Sequence, residues 1–166
     1  EALITRPRDL QDNATPSGNA MAVTALLKLA GLSNEVRYVD LAHEALAQVQ
    51  PMMAQYPLGF GQWLAALSYA LSRPREIVII GQLEAPDTAA LLGIAQDGDQ
   101  PYQIVAVGAP DSEMTLPAFQ DRDQIGDRAT AYVCTTFACQ APVADPDGLR
   151  ALLRRKEAGS RASDAL

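Results

Sequence analysis

The sequence predicts a mixed α/β fold: α-helical hairpins of the kind that end an α/α toroid, packed on a small, mostly parallel three-stranded α/β subdomain. Three observations predict it. Two nearly charge-free stretches of helical length, 17–32 and 58–72, flank a stretch whose apolar residues recur every three or four positions. Two short β-branched runs, Ile77-Val78-Ile79-Ile80 and Ile104-Val105-Ala106-Val107, each end in glycine, as buried parallel strands do. Between the helical and the β-branched stretches the texture changes at Arg73-Pro74-Arg75. The expected division is a helical subdomain over 1–73, an α/β subdomain over 74–158 and a flexible tail over 159–166.

Taken in order, Pro16 and Ser17 supply a turn and a capping hydroxyl for the first helix, and Gly31 with Ser33-Asn34 ends it. That helix carries only Lys28 as a charge, and a helix apolar on every face is normally buried on every face. The second, 34–53, places Val39, Ala42, Leu46 and Val49 on one side and Glu35, Arg37, Asp40, His43 and Glu44 on the other, the pattern of a surface helix. The third lies in a charge-free run from Pro51 to Ser72; its prolines, glycines, glutamines and serines argue for a buried helix and against a membrane span. Buried, amphipathic, buried is the repeat of an α/α toroid. Three helices are too few to close such a ring.

In the second half, Pro86-Asp87-Thr88 opens a helix to about Ala95 between the two β-branched runs, giving a βαβ unit. A loop rich in Pro and Asp (109–127) leads to a third strand, 130–135, and Pro146 starts a last helix to about Glu157.

Composition narrows the function classes. With 20 Asp+Glu against 13 Lys+Arg the formal charge is −7, without the basic face that nucleic acid or an anionic membrane surface needs. Apolar residues make up 48%, enough for a core. Two cysteines cannot form a disulfide scaffold and one histidine cannot build a multi-histidine metal site, so no metal or cofactor is expected. The opening Glu1-Ala2-Leu3 has neither a basic nor an apolar leader segment, so the expectation is a cytoplasmic piece of a longer polypeptide.

Two groups of residues are candidates for chemistry. The first and third helices run parallel, so the polar loop Asp12, Asn13, Ser17, Asn19 is expected beside Gln62 and Trp63. Amides, hydroxyls, a carboxylate and an aromatic at helix N-termini suit a polyhydroxylated or anionic ligand. Asp12 is the catalytic candidate, although a general acid–base pair would need a second carboxylate from elsewhere. The same residues are also good helix-capping chemistry. The second group is Cys134 and Cys139, with four residues between them. The favoured reading is two buried or half-buried free thiols; a disulfide or redox pair is the alternative, and a metal site would need two further ligands. His43 reads as surface, and Gly81 and Gly108 lack a Gly-x-Gly-x-x-Gly context.

The string Asp12-Asn13-Ala14-Thr15-Pro16-Ser17-Gly18-Asn19 is the most specific in the chain. Together with Ala131-Tyr132-Val133-Cys134, Phe137, Cys139 and Ala141-Pro142-Val143 before Asp145-Pro146, it resembles the YyaL-like, or spermatogenesis-associated, family over essentially the whole length. The resemblance implies the C-terminal portion of a protein that joins an N-terminal thioredoxin-like domain to a six-hairpin α/α toroid. It also implies a toroid similar to those of N-acylglucosamine 2-epimerases and six-hairpin glycosidases, hence a sugar-like ligand in the ring's mouth; this step is analogy of fold. The implied partner is the remainder of the parent polypeptide, toroid hairpins and thioredoxin-like domain alike. The leading expectation is one wall of a small-molecule site, and the alternatives are a structural or interaction module and a thiol redox accessory. Contiguous apolar surface much above ~600 Å² is seldom left exposed on a monomer, so the isolated piece is expected to form a homodimer through its helical half.

Overall fold

The computed structural model describes residues 9–110, 116–135 and 138–154, in two compact units. One holds the chain up to Pro74 together with Leu116–Ala118, and the other holds Arg75–Thr115 and the chain from Phe119 onward. The expected tail 159–166 and the residues Thr136 and Phe137 lie outside the described residues. The fold class is α/β, with five α-helices and one mixed sheet among the described residues.

The helical unit comprises α1 (Gly18–Ser33), α2 (Val36–Gln55) and α3 (Gly61–Leu71), with a 3-10 turn at Pro57–Gly59 before α3. Ser17 caps α1, its hydroxyl accepting from the Ala20 amide, and Asn34 closes it in the left-handed region at φ 54°. Such a residue ends a helix by turning the chain while its amide still reaches back, here to the Ala30 carbonyl. Ala42, Leu46, Val49 and Met53 form the buried stripe of α2, which runs through Pro51, and His43 is exposed. Burial of α1 and α3 on every face is not observed. In α1 only Ala20, Val23 and Leu27 are buried, whereas Met21 and Leu29 are about half exposed, at 49% and 48%. In α3 Trp63, Ala66 and Tyr69 are buried, while Leu71 is exposed. Three helices can cover one broad stripe of each other and no more.

The α/β unit comprises β1 (Arg75–Ile80), α4 (Pro86–Ala95), β2 (Gln103–Gly108), β3 (Thr130–Thr135), β4 (Ala138–Cys139) and α5 (Pro146–Arg154). Both helices begin with the prolines that mark them in the sequence, because the first turn has no use for that missing N–H. The strand order is β2-β1-β3-β4. This corrects the expectation of a mostly parallel three-stranded sheet: β1 and β2 are parallel, but β1–β3 and β3–β4 are antiparallel, and the described residues form four strands. A parallel partner needs a crossover, usually helical. The connection 109–129 begins at the end of the sheet where β1 finishes, and β3 starts there too, Thr130 opposite Ile80.

The two sheet faces differ. Ile77, Ile79, Ala131 and Val133 form one, and with Leu91 and Ala95 of α4 and Leu149 of α5 they make a core in which each is at most 1% exposed. Glu76, Val78, Tyr132 and Cys134 share the other, in register across β1 and β3. The stretch 121–127 has exposed aspartates and is also tied to that second face. The Asp123 amide donates to the Tyr132 hydroxyl (3.0 Å), which donates to the Asp123 carbonyl (2.7 Å), and the Ile125 amide donates to Thr130 Oγ1 (2.8 Å).

Candidate functional site

The polar loop of the helical unit meets the start of α3, as the parallel course of α1 and α3 requires. Asp12 is the joint. Its Oδ1 accepts from the Ser17 amide and its Oδ2 from the Gln62 amide, each at 2.7 Å, so one carboxylate joins the cap residue of α1 to the first turn of α3, whose Gln62 lies fifty residues further along the chain than Asp12. Helix N-termini present unsatisfied N–H groups and partial positive charge, and a carboxylate answers both. The neighbouring residues complete the tie. The Asp12 amide donates to the Gly59 carbonyl (2.8 Å), the Ser17 hydroxyl to the Asp9 carbonyl (2.8 Å) and the Trp63 indole to the Leu10 carbonyl (2.7 Å). Gln62 Nε2 donates to Thr24 Oγ1 on α1 (3.0 Å). Trp63 is 2% exposed and is part of the core.

Beside this clasp lies an open hollow of about 270 Å³, lined by Asp9, Gln11, Asn13, Thr15, Ser17 and Asn19, among others. The six residues expected to act together therefore fall into two sets. Asp12, Gln62 and Trp63 hold the helices and do not line the hollow; Asn13, Ser17 and Asn19 line it. Among the described residues, the side-chain amides of Asn13 and Asn19 make no hydrogen bond.

The cysteines are not free thiols. Cys134 on β3 and Cys139 on β4 are directly opposite in the antiparallel register and are joined as a disulfide. A period-two reading assumes a single straight strand, whereas β4 pairs antiparallel with β3 and brings the two side chains to one spot. Cys134 is buried and Cys139 exposed. The Arg122 guanidinium lies on both sulfurs, with Nη2 at 3.3 Å from Cys134 Sγ and 3.5 Å from Cys139 Sγ. It also lies over the Tyr132 ring, 5.6 Å from its centre, a favourable placement for a cation. Its Nη1 is buried without a hydrogen-bond partner. Glu76 faces Cys134 across the β1–β3 register. Burial holds its carboxyl above the ordinary range, against the pull of the Arg122 charge.

Sequence reasoning missed Arg122 as a member of this cluster. The available signal was a lone arginine among the aspartates of 121–127, and the left-handed residues Asp121 (φ 57°), Gly126 (57°) and Asp127 (53°) that bend the stretch back. Among the described residues no three His, Cys, Asp or Glu side chains are grouped to hold a metal ion. No helix of the described residues is long and apolar enough to cross a membrane.

No family model matches this sequence, and no solved structure matches it significantly. Curated proteins do. The chain is 34% identical over 155 residues to spermatogenesis-associated protein 20 of Homo sapiens, an alignment that takes in 91% of this chain and 20% of the human protein. It is 34% identical over 157 residues to the protein of that name in Rattus norvegicus, and 32% identical over 157 residues to that of Mus musculus. In both the alignment covers 92% of this chain and 20% of the relative. The chain thus spans about one fifth of the length of the curated relatives it matches, and nearly all of it is homologous to a part of spermatogenesis-associated protein 20.

Proposed function

We propose that this chain is the C-terminal region of a longer, cytoplasmic, thioredoxin-domain-containing protein, and that its helical unit is one wall of a small-molecule site in an α/α toroid. The ligand class is polyhydroxylated and sugar-like. The observation that carries the reading is the hollow before α1, where the Asn13 and Asn19 amides are unused while Asp12, Gln62 and Trp63 tie the loop that lines it to α3. A side-chain amide offers donors and an acceptor together, which is what a sugar hydroxyl needs. In this arrangement Asp12 is a positioning residue, and any acid–base pair comes from other hairpins of the polypeptide. The half-exposed apolar faces of α1 and α3 are the surfaces those hairpins cover; in the isolated piece a second copy covers them.

The test is binding of hexoses and N-acetylhexosamines to the full-length protein by calorimetry. Asn13→Ala and Asn19→Ala should each weaken binding by about tenfold, the loss of roughly 1.4 kcal/mol, with an unchanged melting temperature. No binding by the wild type, or binding indifferent to both substitutions, sinks the reading. A second reading, a structural or interaction module without a site, is favoured by the engagement of both Asp12 carboxylate oxygens in holding the helix starts. It gains if neither substitution has any effect and the isolated chain is a dimer in sedimentation equilibrium.

A further inference from the structure

We propose that Cys134–Cys139 is an exchangeable disulfide that accepts two electrons from a dithiol, with Arg122 stabilising the thiolate that leaves. The two sulfurs are unequal in access: Cys139 is exposed and Cys134 buried. In the proposed exchange the incoming thiolate therefore attacks the Cys139 sulfur, that of the exposed residue. Attack there forms a mixed disulfide between the incoming sulfur and Cys139 Sγ and breaks the Cys134–Cys139 bond, and Cys134 Sγ departs with the electron pair. That sulfur lies 3.3 Å from Arg122 Nη2, so the negative charge develops against a guanidinium already in place. A positive neighbour lowers a thiol's pKa, and a leaving thiol of lower pKa leaves faster.

The second thiolate of the dithiol then attacks its own sulfur in the mixed disulfide. A disulfide forms in the donor, the bond to Cys139 breaks, and Cys139 Sγ leaves as a thiolate 3.5 Å from the same nitrogen in the oxidised geometry. The donor has lost two electrons and two protons. The cysteines have gained the electrons, and the protons pass through solvent to Cys139 and, to the extent the guanidinium allows, to Cys134.

The cluster is constructed for this in two respects. First, among the described residues Arg122 makes no ion pair within 4.0 Å, although the Glu76 carboxyl opposite Cys134 feels its charge, and its Nη1 is a buried donor without a hydrogen-bond partner. Second, it is held in position. The Tyr132 ring lies against the guanidinium, and the Tyr132 hydroxyl is bonded to both the amide and the carbonyl of Asp123, the next residue. A plain structural disulfide requires neither a cation on its sulfurs nor a fixture for that cation.

The test uses the whole chain and two probes, dithiothreitol as a dithiol and glutathione as a monothiol. In native buffer dithiothreitol should reduce the wild-type disulfide without denaturant. In Cys134→Ser, glutathione disulfide should label the remaining Cys139, whereas the Cys134 left in Cys139→Ser should resist labelling until unfolded. Arg122→Gln should lower both the reduction rate and the equilibrium constant in glutathione buffers by about tenfold or more, and Arg122→Lys, which keeps the charge, should recover most of both. A thiolate absorbance near neutral pH in the reduced wild type gives a readout that does not depend on any variant folding. The proposal is overturned if the wild-type disulfide is reduced only when the protein unfolds, or if Arg122→Gln exchanges as fast as the wild type. Sugar binding plays no part in these measurements, so their outcome is independent of the reading above.

Discussion

The two units use polar residues in opposite ways. In the helical unit the polar side chains at the start of α1 and α3 act as mortar, and the apolar surface is only partly covered: Leu29 is 48% and Leu71 78% exposed. In the α/β unit the apolar core is closed, with Ile77, Ile79, Leu91 and Leu149 at 0–1%, and the polar groups of the opposite sheet face gather around a disulfide. A unit with a complete core can carry reactive groups without risk to its fold. A unit with an incomplete one uses its polar groups to hold together and looks outward for the remainder of its burial.

The sharpest test of this contrast is Trp63→Ala. Trp63 fills the helical core and donates its indole N–H to Leu10. Its loss should cost about 4 kcal/mol, seen as an early helical transition in urea by circular dichroism. Disulfide reactivity in the α/β unit should stay native through that transition. If both change together, the units are one cooperative body and the contrast fails.

The matching change in the other unit is Gly81→Ala. A Cβ there would run into Thr88 Oγ1 and come within 2.9 Å of Ala129 Cβ. Overpacking should cost about 2–3 kcal/mol, visible in the circular dichroism of the second transition. Fluorescence of Trp63, the single tryptophan, should unfold at the wild-type urea concentration.

Asp12→Ala comes next. It strands the Ser17 and Gln62 amides at half-buried helix starts, so about 2 kcal/mol of the helical unit's stability should disappear. Asn13→Ala, one residue away, should leave the transition in place. Equal effects would mean that the carboxylate is not the clasp.

The smallest effect is on pH. The Ala129 amide chiefly, with help from the Thr88 amide and the Arg128 charge, holds the Asp87 carboxyl below the usual carboxylate range. A lowered folded-state pKa gives stability that is present above about pH 4, the unfolded value, and is lost as the pH falls through the folded one. Asp87→Asn should therefore flatten the acid side of the α/β unit's stability profile and leave its shape above pH 6 unaltered. An unchanged acid limb would remove Asp87 from the account.

The legible parts of the fold were those written in local chemistry. Ser17, Pro86 and Pro146 mark helix starts because capping and a fixed φ act on adjacent residues, and the stripe Ala42, Leu46, Val49 is a local period. Strand direction is not local. The period of two is the same for a parallel and an antiparallel strand, so the reversal of β3 had no mark in 130–135. At two residues, β4 is shorter than any period, and with it the pairing of Cys134 and Cys139 was hidden. The candidate sites divide on the same line. The loop at Asp12 was found from its composition, but its bond to Gln62 spans fifty residues, and the contact of Arg122 with Cys134 depends on a loop folding back over a sheet.

The strap from Asp9 to Asp12 also bears on where this chain can be cut. A fragment designed from secondary structure alone would start at Gly18, the first residue of α1. It would discard Ser17, the α1 cap, the Leu10 carbonyl that accepts from the indole N–H and the carboxylate that accepts from the Gln62 amide of α3. The helices would all be present and the knot that ties them would be missing. For this protein the working edge of the helical unit lies in irregular chain, and trimming from that side should proceed no further than Asp9.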